Sequence, residues 1–277
     1  MPRMKCRILL VLALALAACA SPSPDRLDAS LPPEEALARL VVETDRGGPV
    51  DAAAEVLVVR DRHSTNPGFH RVRDQLARIQ RDNRLLVDYL LGRGWSLLGC
   101  EFREGPLVDE PDTAQQYRII RRRMQTDGVH TPFLDGWSVY QPIRFQLMHE
   151  GRLEVRGVED AALYARDLDL FRDYKEARSI ARRRNITEDE RREALRAAVE
   201  AQTALEANTA ARGRAAAENL VEAMRESGRD RAILLIGGAH VPAAVRSLEE
   251  LGLRWRVVES RSYRDPPGPE PEDREIP

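Results

Sequence analysis

Two histidines stand just past apolar runs. His63 closes Arg60-Asp61-Arg62-His63 after the run Glu55 to Val59, and His240 closes Gly237-Gly238-Ala239-His240 after Ala232 to Ile236. Carboxylates take the equivalent places after two further runs: Glu101 follows Trp95 to Cys100, and Glu159-Asp160 follows Leu153 to Val158. Neutral imidazole and carboxylate together can hold Mn, Fe, Co or Zn and leave positions open for water or substrate. Without a metal, the same groups suit general-base chemistry by a histidine that a carboxylate orients. The paired glycines before His240 permit a close backbone approach there. His70, seven residues beyond His63, stands where a helix begins. It can line the mouth of such a site and, with Asp61, bind a cofactor there, and a solvated helix position is its plainer reading.

Other reactive types carry less. Cys100 lies inside an apolar run with no thiolate-stabilising pattern around it, so it reads as a buried strand residue. His130 and His149 read as structural. Ser64 adjoins His63, but the chain holds no G-x-S-x-G elbow, H-E-x-x-H helix, P-loop or G-x-G-x-x-G. The Arg clusters 121–123 and 182–184 read as solvated helix faces. With 43 basic against 45 acidic residues the formal net charge is −2, which gives no electrostatic case for a nucleic-acid partner. At 277 residues, 43% apolar and 32% charged, the composition excludes collagen-like, disordered and multi-pass membrane classes.

What must position these side chains is an alternation of strands and helices. The four apolar runs above and Arg254 to Val258 read as strands. Between the first two, Val72, Leu76, Ile79, Asn83, Leu86 and Leu90 step by three and four and so share one helix face. Further helices are expected near 112–125, 137–150 and 241–251. The span 160–227 reads as a long helical hairpin, broken at Asn185-Ile186-Thr187, where Thr187 and Glu190 form a capping-box signature. The expected fold is therefore α/β: a mostly parallel sheet of about five strands, with flanking helices and the hairpin as an insertion. In open parallel sheets ligands bind beyond the carboxyl ends of the strands, which is where both histidines and the carboxylates emerge.

The ends of the chain have a different character. Arg3, Lys5 and Arg7 precede the apolar run Ile8 to Ala18, too short to span a bilayer and suited to a secretory signal. That run meets Leu16-Ala17-Ala18-Cys19, which resembles the lipobox of bacterial lipoproteins. The resemblance implies removal of residues 1–18 and acylation of Cys19, hence a lipid-anchored protein of the cell envelope whose partner is the membrane. Ala20 is not the Asp that retains lipoproteins in the inner membrane, which favours the outer membrane in a Gram-negative cell. Cleavage would leave Cys19 and Cys100 as the cysteines, so no intrachain disulfide forms. Residues 19–33 read as a Pro/Ser-rich tether, 34–264 as one α/β domain, and 265–277 as a disordered acidic, Pro-rich tail.

Five stretches carry a family resemblance. VVRDRHSTNPGFHRVRDQLARIQRDN, LLGCEF and IGGAHVPAAVRSLEELG together resemble the clan that holds the TraB and Tiki proteins, the erythromycin esterases and the ChaN haem-binding lipoproteins. AARGRAAAENLVEAM is similar to a helix of the Tiki and TraB pattern with Arg212 at the matching position, and GWSVYQPI resembles the ChaN arrangement. The resemblance implies that His63, Glu101 and His240 are metal ligands or active-edge residues and that Arg212 faces the site. Three departures stand out: Arg60 where the clan has Gly, Asp61 for Glu, and Gly213 after Arg212 where Asn is usual. Three functions follow as expectations: a metal-dependent hydrolase of peptide or ester bonds, a ChaN-like binder of haem or iron, or a catalytically degenerate envelope protein that uses the hairpin as a partner surface.

Overall fold

A computed structural model of the chain describes residues 32–62, 70–107, 111–128 and 141–264. His63, Cys19, residues 19–31 of the tether and the acidic tail lie outside the described residues, as does the side chain of His70. The chain divides into two units at Arg39 and Leu40. Helix α1, Pro33–Leu40, belongs almost wholly to the first, and Arg39 and Glu35 pair across one of its turns at 2.7 Å.

The second unit is built on seven strands: β1 (Val41–Gly47), β2 (Glu55–Asp61), β3 (Leu97–Arg103), β4 (Gly105–Pro106), β5 (Glu154–Glu159), β6 (Arg231–Gly237) and β7 (Arg254–Ser260). Their order in the sheet is β1-β7-β2-β6-β3-β5-β4. Strands β7, β2, β6, β3 and β5 pair in parallel, whereas β1 joins β7 and β4 joins β5 antiparallel. The expectation of about five strands in a mostly parallel sheet is thus corrected to a mixed sheet of seven. All five expected strands are present. The two extra strands lie at the edges: β1 is largely polar and half exposed, and β4 has two residues, so neither offers an apolar run.

Central strands are covered on both sides, and Val56, Leu57, Val58 and Val59 of β2 are all buried. Helix α2, His70–Leu91, connects β2 to β3 and buries Leu76, Ile79, Asn83, Leu86 and Leu90 as their spacing requires. Helices α3 (Pro111–Asp127) and α4 (Gln141–Met148) lie between β4 and β5. The hairpin is α5, Ala161–Ala181, and α6, Glu188–Ser227. Asp160 caps α5 by accepting the amides of Ala162 and Leu163. Thr187 and Glu190 cap α6 reciprocally, and Gly228 ends it at φ 63°, a left-handed conformation open to glycine. The last turns of α6 present Ala216, Ala217, Leu220, Val221 and Met224 to the sheet core, and α7, Val241–Glu250, packs beside them between β6 and β7.

Candidate functional site

The direction of the connections opens a crevice at the strand ends. From β3 the chain moves outward to β5, and from β6 it returns the other way, through α7, to β7. The loops after the neighbouring strands β3 and β6 therefore diverge, which is the switch-point condition for a ligand site. Glu101 and His240 flank that point. Pairing of β3 with β5 slips between Cys100 and Arg103, so Glu101 sits in a bulge, a device that re-aims a side chain. His240 holds the N-cap position of α7 without capping it by its side chain, and the ring turns instead to its neighbours.

Both ring nitrogens of His240 are engaged. Nδ1 lies 2.9 Å from the carbonyl oxygen of Thr209 on α6, and Nε2 lies 3.2 Å from Oε1 of Glu101. Glu101 Oε1 also accepts the amide of Gly237 at 3.2 Å, and both side chains are nearly buried. A carbonyl can only accept, so Nδ1 carries the hydrogen and Nε2 of a neutral ring directs its lone pair toward the carboxylate. Two acceptors at that separation need a cation between them. A proton or a metal ion meets the need.

Next to this pair lies a second charged group. Arg212 Nε donates to Glu159 Oε1 at 2.8 Å, Nη2 bonds the same oxygen, and Nη1 lies 3.0 Å from Asp167 Oδ2 on α5. Its guanidinium stands 5.4 Å from the ring centre of Tyr164. Asn208 Nδ2 also donates to Asp167, at 3.1 Å. Burial pushes the Glu159 carboxyl above its ordinary pKa; Glu101 adds to the rise, and Arg212 and His240 oppose it. Arg212 thus acts on the site through Glu159 and Asp167. Strand-end reasoning reaches Glu159, but nothing local in the sequence marks Tyr164, Asp167 or Thr209, which only the docking of the hairpin brings to the sheet edge.

The remaining expected residues are placed as follows. Asp61 is buried at the end of β2, where its Oδ1 accepts from Gln80 Nε2 and Asn83 Nδ2 of α2, each at 3.0 Å. Arg60 pairs with Glu259 of β7 at 3.2 Å and lies 5.0 Å from the ring centre of Tyr263, so it does not separate Glu101 from His240. Gly213 allows α6 to meet the start of α7, because a Cβ there would fall 2.4 Å from the His240 carbonyl oxygen. Burial and the negative charges of Glu101 and Glu159 push the Cys100 thiol far up, in keeping with an inert strand residue. His149 bonds Asp88 at 2.7 Å, away from these groups. Among the described residues no cluster of three or more His, Cys, Asp or Glu side chains is arranged to hold a metal ion. The chain matches no protein-family model, no curated protein and no solved structure.

Proposed function

We propose that the protein is a metal-dependent hydrolase of peptide or ester bonds, anchored in the cell envelope through acylated Cys19. The observation that supports this reading is the His240 ring. A metal-ligating imidazole characteristically donates its other N–H to a carbonyl or carboxylate, as Nδ1 does to Thr209. The 3.2 Å between Nε2 and Glu101 Oε1 suits two ligands of one ion, since bonds of roughly 2.1 Å place neighbouring ligand atoms about 3 to 3.4 Å apart. Glu101 and His240 would hold the ion, with His63, which follows β2 in the sequence, as the further ligand. Such an ion supplies a Lewis acid and an acidified water at neutral pH.

The chain's own residues supply the rest. Gly237 N–H fixes the Glu101 carboxylate, and Thr209 fixes the ring of His240. Glu159, with its raised pKa, can hold a proton beside them and deliver it to a leaving group. Arg212 positions Glu159 and neutralises Asp167. The near-complete burial of all four groups keeps bulk water from the reacting centre.

The test is metal analysis of the purified full chain, followed by assay on chromogenic esters and peptides. About one divalent ion per chain is expected, lost together with hydrolysis in His240→Ala and in Glu101→Gln. Absence of bound ion and of hydrolysis after adding Mn or Zn, with both variants indistinguishable from the parent, would overturn the reading. The anchor is tested separately, because Cys19→Ala should shift the mature mass and release the protein from membranes.

A further inference from the structure

One face of the hairpin is apolar, cationic and uncovered among the described residues. Helices α5 and α6 run antiparallel: Arg191 Nη1 bonds the Ala181 carbonyl at 2.7 Å, and Asn208 Nδ2 bonds the Leu163 carbonyl at 3.0 Å. Ala177 and Ala181 of α5 and Ala194 and Ala198 of α6 are buried between them. In an antiparallel pair of right-handed helices, the residue after each interface position turns to the same side of both. On α5 that row reads Tyr164, Leu168, Phe171, Lys175 and Arg178 and ends at the C-cap, Arg182, and on α6 it includes Leu195 and Val199.

These five apolar side chains are 44% to 65% exposed, and among the described residues they make up five of the eight exposed large hydrophobics. Toward the hairpin tip the same row becomes cationic. Tyr174, Lys175, Arg178, Ser179 and Arg182 line an open cleft of about 310 Å³ that has no carboxylate in its wall. Lys175 Nζ lies 4.4 Å from the ring centre of Phe171, so cationic and apolar parts are continuous. Among the described residues Lys175, Arg178 and Arg182 have no carboxylate at ion-pair distance, although neighbouring Arg172 and Arg192 do.

We infer that this face docks on a membrane surface bearing anionic headgroups, with the cleft taking phosphates and Leu168, Phe171, Leu195 and Val199 entering the acyl boundary. An apolar stripe beside uncompensated cations is what in-plane amphipathic helices present to such lipids. Pairing with a second copy would instead bring a second set of the same cations to the interface, with no carboxylate from either cleft to meet them. The inference is independent of the hydrolase reading, since none of the residues proposed to enter the bilayer or line the cleft has a role in that reading.

The test uses the full, non-acylated chain carrying Phe171→Trp, mixed with vesicles whose acyl chains are brominated. Emission gained over the parent protein reports the introduced indole. Quenching is expected with vesicles of phosphatidylcholine and phosphatidylglycerol, and not with phosphatidylcholine alone. Replacing Lys175, Arg178 and Arg182 by Ala should raise the lipid needed for half-quenching roughly a hundredfold, at about fivefold per cation. Leu168→Asp should abolish quenching while the circular dichroism stays native. Equal quenching by both vesicle types, an unaffected triple variant, or no quenching of a natively folded protein would each overturn the proposal. A blue-shifted indole in sedimenting dimers without lipid would assign the face to a second copy instead.

Discussion

Gly213 touches the backbone of His240 more closely than any side chain would allow. A Cβ at this position would stand 2.4 Å from the His240 carbonyl oxygen and 3.2 Å from the Ala243 Cβ. That carbonyl is also the first acceptor of α7, taking the amides of Ala243 and Ala244. The contact therefore fixes where α7 begins and, with it, where the imidazole points. Asn, the residue the clan resemblance leads one to expect here, cannot enter without moving one helix.

Gly213→Ala should therefore cost more than an ordinary helix Gly→Ala, which is usually favourable. Overpacking of a well-filled contact costs about 1 to 3 kcal/mol, or roughly 2 to 12 °C in melting temperature for a domain of this size. Thermal melts check the stability, and for the ion proposed at His240 its loss from the variant checks the displaced ring. A variant as stable as the parent would show that the two helices separate at no cost.

Glu159 gives a pH signature. Its carboxyl is held above the ordinary value of 4.5 in the folded protein, by burial first and then by Glu101, against the pull of Arg212 and His240. A raised folded pKa means that the folded state binds the proton more tightly than the unfolded chain. This contribution to stability is complete below the unfolded value and is lost as pH rises through the folded one. Glu159→Gln removes the titration, so its melting temperature should gain on that of the parent as pH rises above about 4.5, whatever constant offset Arg212 adds. If the gap instead moves against the variant with rising pH, then Arg212 prevails over burial and Glu159 is a plain ion-pair partner.

Much of this architecture was legible in the residues, for reasons that also explain what was not. Strands β2, β3 and β6 are buried along most of their length and show as apolar runs, while β5 and β7 alternate charged residues with buried Val and Trp and still read as strands; β1, with the sequence VVETDRG, faces solvent along half its length and shows no such run. Glu101 and His240 follow from the rule that ligands gather at strand ends. The bulge that aims Glu101 depends on pairing with β5 and has no local signature. Asp61 reads from the sequence as a cofactor-binding residue, and strand alternation sets it on the side opposite Arg60, under the amides of Gln80 and Asn83. The hairpin was readable from its caps, whereas its meeting with the sheet edge, through Thr209, Arg212 and Asp167, rests on a contact between distant segments.

Arg212 yields the last prediction. Its guanidinium joins Glu159 and Asp167, three nearly buried charges on β5, α5 and α6 held by one planar fork. A lysine ammonium offers a single nitrogen and cannot reproduce two donors on one carboxylate and a third on another. Arg212→Ala leaves two carboxylates without their cation, a change that in buried pairs costs about 3 to 5 kcal/mol. Arg212→Lys should recover only part of that. If the loss comes from stranded charge and not from lost packing, Arg212→Met combined with Glu159→Gln and Asp167→Asn should be markedly more stable than Arg212→Met alone, because no uncompensated carboxylate remains. Denaturant melts of the four proteins decide it. A triple variant no more stable than the single one would assign the role of Arg212 to its guanidinium over the Tyr164 ring, and its control of Glu159 would then have to be dropped.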